Sequence, residues 1–325
     1  MKYLITGITG FAGPHLANLL LENDHEVFGL VRCSNGREVD ILDIVPAASY
    51  KRITFVYSDL TNYRTLENIF KENVFDGVFH LASQSHPPTS FVDPLGTFES
   101  NIMGTANLIQ AITNTQPDCK LMFCSTSEVY GNEGRDHHEI QTTDMLHPAN
   151  PYGISKAASD LYMQERMDNG MIRGFITRAF SHTGPRRGKN FSISCDAHQI
   201  ASMMLGLQDK QLSVGNLDTV RVVIDVRDCV NAYYLGMIND ECDGKVLNVC
   251  GDTPRKMRAY TDELIRLSGL EGIEEWVNPK YYRPVDIDYQ SGDCSELKEL
   301  TGWKTTISLS QTLEDLLNYW VAKLS

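Results

Sequence analysis

An α/β fold, a doubly wound parallel sheet covered by helices on both faces, is predicted by three observations. Short apolar runs alternate with amphipathic runs over roughly the first half of the chain. The apolar runs are nearly continuous, and a glycine triad follows the first of them directly. Nearly continuous apolar strands belong to sheets buried on both faces, and strand–helix alternation implies parallel pairing.

The elements follow in order. Strands are predicted at "YLIT" (3–6), "EVFGLVR" (26–32), "ITFVY" (53–57), "GVFHLAS" (77–83), "KLMFC" (120–124) and "GFITRAF" (174–180). Helices are predicted in "FAGPHLANLLLEN", "TNYRTLENIFKEN", "GTFESNIMGTANLIQAIT" and "NPYGISKAASDLYMQERMDNG". Leu16, Leu19 and Leu20 show the helical rhythm, as do Ile102, Ala106, Ile109 and Ile112. Beyond "GFITRAF" the rhythm weakens, and "SHTGPRRGKNFSISCD" reads as a basic loop. "RDCVNAYYLGMIND" and "KVLNVCG" read as a helix–strand pair able to extend the sheet, and "SLSQTLEDLLNYWVAKLS" as an amphipathic helix. The expected organisation is a dinucleotide-binding domain (1–178 plus 224–250) and a smaller mixed α/β substrate-binding domain (179–223 plus 251–325). In parallel sheets of this kind ligands bind beyond the carboxyl ends of the strands.

Composition narrows the function. The chain has 325 residues, 42% hydrophobic and 22% charged, with a formal net charge of −13. That balance argues against a nucleic-acid or anionic-membrane partner, either of which needs a basic face. An anionic ligand would need a local cluster of positive groups. The eight cysteines are scattered without C-x-x-C spacing, and no apolar run is long enough to span a membrane. Because "MKYLITGITGFAG" enters a strand at once, it does not read as a signal peptide, and a reducing, cytoplasmic setting is expected. Metal ligation has little support: His137 and His138 are adjacent, and no H-E-x-x-H occurs.

Gly7, Gly10 and Gly13 form G-x-x-G-x-x-G between the first strand and first helix, with Pro14 in that helix's first turn. Glycines there let the backbone approach a pyrophosphate, whose charge sits at the helix N-terminus. The context predicts a Rossmann-type dinucleotide site. At the end of the second strand, where an acid would bind an NAD ribose, the chain has Arg32. A positive group suits a 2′-phosphate and so NADP over NAD, whereas a solvated strand end is its ordinary reading. Tyr152 and Lys156 lie four apart at the start of a helix, on one face. An ammonium there can lower the phenol's pKa and fit it for proton transfer with a sugar hydroxyl. "FCSTSEVYG" ends a strand on Thr126, Ser127 and Glu128. Hydroxyls and acids often cap the next helix, but a threonine and a carboxylate at a strand mouth also suit proton handling.

With the glycine triad and the Tyr152/Lys156 pair, the chain resembles the extended short-chain dehydrogenase/reductase family. It is similar to GDP-mannose 4,6-dehydratases over nearly its whole length, through "LITGITG", "FHLASQSH", "STSEVYG", "NPYGISK", "VGNLDTVR", "YYRPVDIDY" and "GWKTTISLSQTLEDLL". The resemblance implies Thr126, Glu128, Tyr152 and Lys156 as catalytic. With Ser127 between them, it implies that Glu128 serves as both base and acid. It implies cofactor contacts at Gly7, Thr9, Gly10, Phe11, Ala12, Gly13, Arg32, Asp59 and Leu60. Leu81, Ala82, Ser83 and Gln84, then Tyr152, Lys156, His182 and Arg187, complete that set. For the sugar nucleotide it implies Ser85, Ser181, Arg187, Arg221, Arg283 and Asp286. Arginine forks match phosphate oxygens at two points.

The resemblance implies a GDP-sugar 4,6-dehydratase, a lyase with internally recycled NADP. Departures fall in the substrate half: Ser181 replaces the usual asparagine, and Cys195 and Ser213 replace basic contacts, which weakens the standard diphosphate grip unless Arg186, Lys189 or another group replaces them. These departures resemble dehydratases of GDP-manno-heptose, so both sugars stay open. A 4-keto-6-deoxy-sugar reductase or epimerase of the same family is the enzymatic alternative, and a non-catalytic NADP-binding sensor or scaffold the other. The family assembles through helices matching 96–113 and 152–168, which implies a homodimer, with a tetramer also possible. Tyr162 and Met163 are candidate interface residues or core.

Overall fold

The computed structural model describes residues 1–32, 36–281 and 287–325. Its main sheet holds seven parallel strands: β1 (Lys2–Thr6), β2 (Glu26–Val31), β3 (Ile53–Tyr57), β4 (Gly77–His80), β5 (Lys120–Thr126), β6 (Gly174–Ala179) and β11 (Val246–Val249), in the order β11-β6-β5-β4-β1-β2-β3. All six predicted strands form, and "KVLNVCG" adds the seventh by pairing with β6. The order reverses at β1, so a crevice opens beyond the ends of β1 and β4.

Alternation along the strands explains the two-faced burial. Tyr3 and Ile5 belong to one apolar cluster and Leu4 to the other; Met122 faces the first, Leu121 and Phe123 the second. The first cluster is closed by α1 (Ala12–Glu22) and α9 (Val226–Ile238). The short α2 (Ala47–Tyr50) precedes β3. The second cluster is closed by α3 (Tyr63–Glu72), α6 (Gly104–Thr115) and α7 (Pro151–Asp168). Between β4 and α6 the chain makes α4 (Pro87–Val92), α5 (Pro94–Phe98) and one π turn at Glu99–Met103, which turns Asn101 inward onto Gln84 and Ser155. Met163 is fully buried in the second cluster with Tyr162 packed beside it. The outward apolar residues of α7 are instead Ile154 and Leu161, 45% and 55% exposed.

A third cluster joins α8 (Ser192–Met204), β8 (Gln211–Val214), α10 (Met257–Ser268) and α12 (Leu309–Leu324). Three short pairings link this region: β7 (Ser181–Thr183) with β10 (Val223–Asp225), β9 (Val220–Arg221) with β12 (Arg255–Lys256) and β14 (Tyr289–Gln290), and β8 with β13 (Glu274–Val277). α11 (Ser295–Thr301) packs near α9 and β11. The stretch expected to be wholly loop-like at 181–196 therefore contains β7 and the start of α8, whose Ile193, Ala197, Ile200 and Ala201 carry the helical spacing. Among the described residues no helix is long and apolar enough to cross a membrane.

α7 is fastened to the sheet by a buried ion pair. Arg178 of β6 donates from Nε and Nη2 to the two Asp160 carboxylate oxygens, both at 3.0 Å, with side chains 3% and 0% exposed. Its third nitrogen reaches Tyr130 Oη and the Thr142 carbonyl. Breaking such a pair leaves a buried charge uncompensated, at a cost of about 3–5 kcal/mol. Asp160→Leu is expected to lower the unfolding free energy by that amount, and the double variant Asp160→Leu/Arg178→Met to recover much of it, as read by urea denaturation.

Candidate active site

The strand ends and the N-terminus of α7 open on one cavity of about 830 Å³. At its floor lies the turn between β1 and α1. Gly7 has φ +74°, and a Cβ there would sit 2.8 Å from Ala82 N; one on Gly13 would sit 2.4 Å from the Gly7 carbonyl. The backbone thus approaches where no side chain fits, which is the shape a pyrophosphate needs. The loop's outer carbonyls are held by Arg186, which donates to Thr9 O at 3.1 Å, to Gly10 O, and to Asp40 O at 3.0 Å. Arg186 is therefore committed to the glycine loop and does not replace a missing contact in the substrate half. Lys189 lines the cavity.

Thr126 closes β5, opposite Ala179 in register. Its hydroxyl accepts from Glu128 N at 3.3 Å and so caps the single 3₁₀ turn Ser127–Val129. The hydroxyl that caps the turn and Glu128 also line the cavity. Ser127 is locked from the other side: its hydroxyl donates to Gln290 Oε1 at 2.9 Å, and Gln290 Nε2 donates to Ser127 O at 3.0 Å.

α7 begins at Asn150-Pro151, an N-cap followed by proline at the first helical position. Asn150 Oδ1 accepts from Gly153 N at 2.8 Å, and its Nδ2 donates to Glu128 Oε2 at 2.8 Å. Tyr152 follows, its backbone N–H donating to Ser90 Oγ at 3.0 Å and its ring lining the cavity. Burial raises the phenol above the usual tyrosine range; Cys124 and Glu128 add to this, while a hydrogen bond with Thr126 and the Arg187 charge oppose it. The expected lowering by Lys156 is not what the protein alone shows. Lys156 lies behind the phenol, 4.1 Å from the Phe123 ring centroid, and burial pushes its ammonium down to about 8. Among the described residues it has no hydrogen-bond acceptor. A buried ammonium without an acceptor fits a ligand that brings hydroxyls to it.

Arg187, half-buried, is a second cation on the cavity. Its guanidinium lies over the Phe191 ring at 3.5 Å and the Phe11 ring at 4.7 Å, and Phe11 stacks on His182 at 5.8 Å. Burial lowers the guanidinium to about 10. His182 is held neutral, at about 4, first by burial; with Nδ1 3.0 Å from the Phe180 carbonyl, the proton sits on Nδ1. In a chain of net charge −13 the cavity gathers Arg187, Lys189, Arg221 and Lys280 against the acids Glu128 and Asp196.

Of the cofactor contacts implied by the sequence, Gly7, Gly10, Phe11, Ala12, Gly13, Leu81, Ala82, Ser83, Tyr152, His182 and Arg187 line the cavity. Thr9, Arg32, Asp59, Leu60, Gln84 and Lys156 do not. Gln84 is turned toward Thr97 and the His86 N–H, and Leu60 is buried in the core. The Asp59 carboxyl lies below its usual range, chiefly through the Thr61 N–H and further through Arg32. On the substrate side Ser85, Ser181, Arg187 and Arg221 line the cavity, whereas Arg283 and Asp286 lie outside the described residues. Cys195 lines it too; Ser213 instead accepts from Asn278 Nδ2 at 3.1 Å. Sequence reasoning missed Lys280, Asn150 and Gln290. The Asn-Pro dipeptide signalled a helix cap, but nothing local signalled the second bond.

The GDP-mannose 4,6 dehydratase family model matches residues 4–316. GDP-6-deoxy-D-mannose reductase of Pseudomonas aeruginosa is 31% identical over 99% of this chain and 98% of its own. Human GDP-mannose 4,6 dehydratase is 30% identical over 97% and 90%. The solved structure of RMD from Pseudomonas aeruginosa complexed with NADPH is 28% identical, with a TM-score of 0.83 and 99% coverage of both chains.

Asp196 gives a pH prediction. Its carboxyl is 5% exposed and burial pushes it up to about 7, although Thr261 Oγ1 donates to it at 2.8 Å. A raised folded-state pKa means that stability falls as pH rises from the unfolded value toward about 7, with the full cost present above that. Asp196→Asn is expected to raise the melting temperature by several degrees at about pH 8 and to leave it nearly unchanged at about pH 4.

Proposed function

Because this chain belongs to the GDP-mannose 4,6 dehydratase family, we propose that it is an NADP-dependent GDP-sugar 4,6-dehydratase acting on GDP-mannose or GDP-manno-heptose. The observation that carries this reading is the placement of Glu128, Thr126 and Tyr152 on one cavity, with the carboxylate held by Asn150. The glycine cradle, the buried Lys156 and the half-buried Arg187 fit NADP: the cradle suits the pyrophosphate, Lys156 the nicotinamide ribose, and Arg187 a diphosphate. Arg32, exposed at the end of β2, suits the 2′-phosphate. When bound, NADP would supply reversible hydride chemistry at the sugar C4 and C6, with no net oxidation.

The chain's own groups move the protons. Tyr152, as the phenolate that the Lys156 ammonium favours, takes the proton of the 4-hydroxyl, becomes a neutral phenol, and later gives that proton to C5. Thr126 hydrogen-bonds the C4 oxygen as it becomes a carbonyl. That carbonyl acidifies the C5 hydrogen; Glu128 removes it and then protonates the departing 6-hydroxyl, which leaves as water. Arg187 and Arg221, with Lys189 and Lys280, oppose the diphosphate charge. Residues 179–223 and 251–325 form the substrate side of this assignment.

A second reading is favoured by the whole-chain similarity to the Pseudomonas aeruginosa reductase. A reductase needs Tyr152 and Lys156 but gives Glu128 no elimination to perform. Incubation of the protein with GDP-mannose and, separately, GDP-manno-heptose is expected to give loss of one water without net cofactor reduction, read by mass spectrometry. Turnover confined to a GDP-4-keto-6-deoxy sugar plus NADPH would establish the reductase instead. Glu128→Gln is expected to cut dehydration by about 10²–10⁴-fold with the fold intact; a wild-type rate would remove Glu128 from the mechanism.

The homodimer implied by the resemblance is supported by the outward Ile154 and Leu161 of α7 and by Met103, 54% exposed. Leu161→Lys is expected to shift the protein toward monomer in size-exclusion chromatography with light scattering.

A further inference from the structure

Glu128 sits on a single 3₁₀ turn, which by itself holds a long side chain loosely. Its backbone is fixed from three sides: the Thr126 cap, the paired hydrogen bonds between Ser127 and Gln290, and the first turn of α7. The last contact is close, since a Cβ on Gly153 would lie 2.8 Å from the Glu128 carbonyl. The side chain is held by Asn150, which is 6% exposed.

We propose that Asn150 is a positioning residue, whose amide ties the Glu128 carboxylate to the N-terminus of the helix that carries Tyr152. This rests on the reading of Glu128 as the acid/base. The orientation of the amide follows from its partners. A backbone N–H can only donate, so the atom facing Gly153 N is oxygen, and the NH₂ group necessarily faces Glu128 Oε2. A flip would break both bonds at once. The helix cap therefore serves as the jig that sets the carboxylate's rotamer, and the two proton-handling groups move as one unit with the start of α7. An amide also donates without titrating, so the hold is constant with pH.

Serine and aspartate cap helices about as well as asparagine, which separates the two tasks of the side chain. Serine keeps the cap and is too short to reach Glu128. Aspartate keeps the cap and places a second carboxylate against the first, where like charges disfavour ionisation of both. Among the described residues, the charged and titratable groups that act on Tyr152 beside this turn are Glu128 itself, Cys124 from β5 and Arg187 from the loop after β7, and the contact from β14 is the neutral Gln290.

The test is steady-state dehydration with NADP-loaded full-length protein, alongside thermal melts. Asn150→Ser is expected to melt near the parent and to lose about 10²-fold in kcat with little change in KM, the scale of a misplaced catalytic group. Asn150→Asp is expected to melt near the parent and to move the acid limb of the kcat–pH profile upward by about one unit. A parental kcat in a well-folded Asn150→Ser protein would overturn the proposal, as would an unchanged profile in Asn150→Asp. Where Asn150→Ser does not fold, the aspartate profile decides. Glu128→Gln is the parallel control. If it is inactive while Asn150→Ser is fully active, the positioning role alone fails; if it turns over normally, the acid/base reading beneath it fails.

Discussion

The chemistry of this site depends on where one helix lies, and a buried ion pair holds that helix. Asp160 on α7 and Arg178 on β6 meet two-point to two-point, nearly out of contact with water. Along α7, Lys156 lies about one turn before Asp160, Tyr152 about two, and the Asn150 cap just beyond. A small tilt of α7 would move the phenol, the ammonium and the carboxylate's tether together relative to the end of β5. The pair is costly to bury, and Tyr130 and the Thr142 carbonyl offset part of that cost by satisfying the remaining guanidinium donors.

The site is assembled from two kinds of backbone. The cofactor side comes from tight strand–helix turns, where glycine permits close approach and Ala82 and Ile8 leave no room for side chains. The substrate side comes from two- and three-residue strands far apart in sequence, β7 with β10 and β9 with β14. Gln290 joins the two sides, since it pairs in register with Arg221 and also locks Ser127. A diphosphate held by Arg221 would thus lie one ladder step from the turn that carries Glu128.

Much of the first side was legible in the sequence because its signals are local. The apolar runs, the triad at Gly7, Gly10 and Gly13, and the Tyr152/Lys156 spacing all appear where the structure has strands, a tight turn and a helix start. The second side was less legible. The strand at Ser181–Thr183 is too short for any period to register, and the Gly-Pro-Arg-Arg-Gly run hid the start of α8. Asn150 went unread, because its bond to Glu128 depends on a turn more than twenty residues earlier in the chain. The phenol shows the same limit: spacing pointed to the ammonium, but burial governs its proton binding, and burial is a tertiary property.

The clamp on the glycine loop reaches further than the loop itself. Arg186 faces Asp43, and Asp43 also accepts from Tyr319 Oη at 3.1 Å and from Lys323 Nζ at 2.9 and 3.0 Å. The carbonyls of Thr9 and Gly10 are thus secured, through two intermediaries, by a helix whose codons are read long after their own. A change at Asp43 or Tyr319 would therefore be felt in the nucleotide cradle, although neither residue lines it.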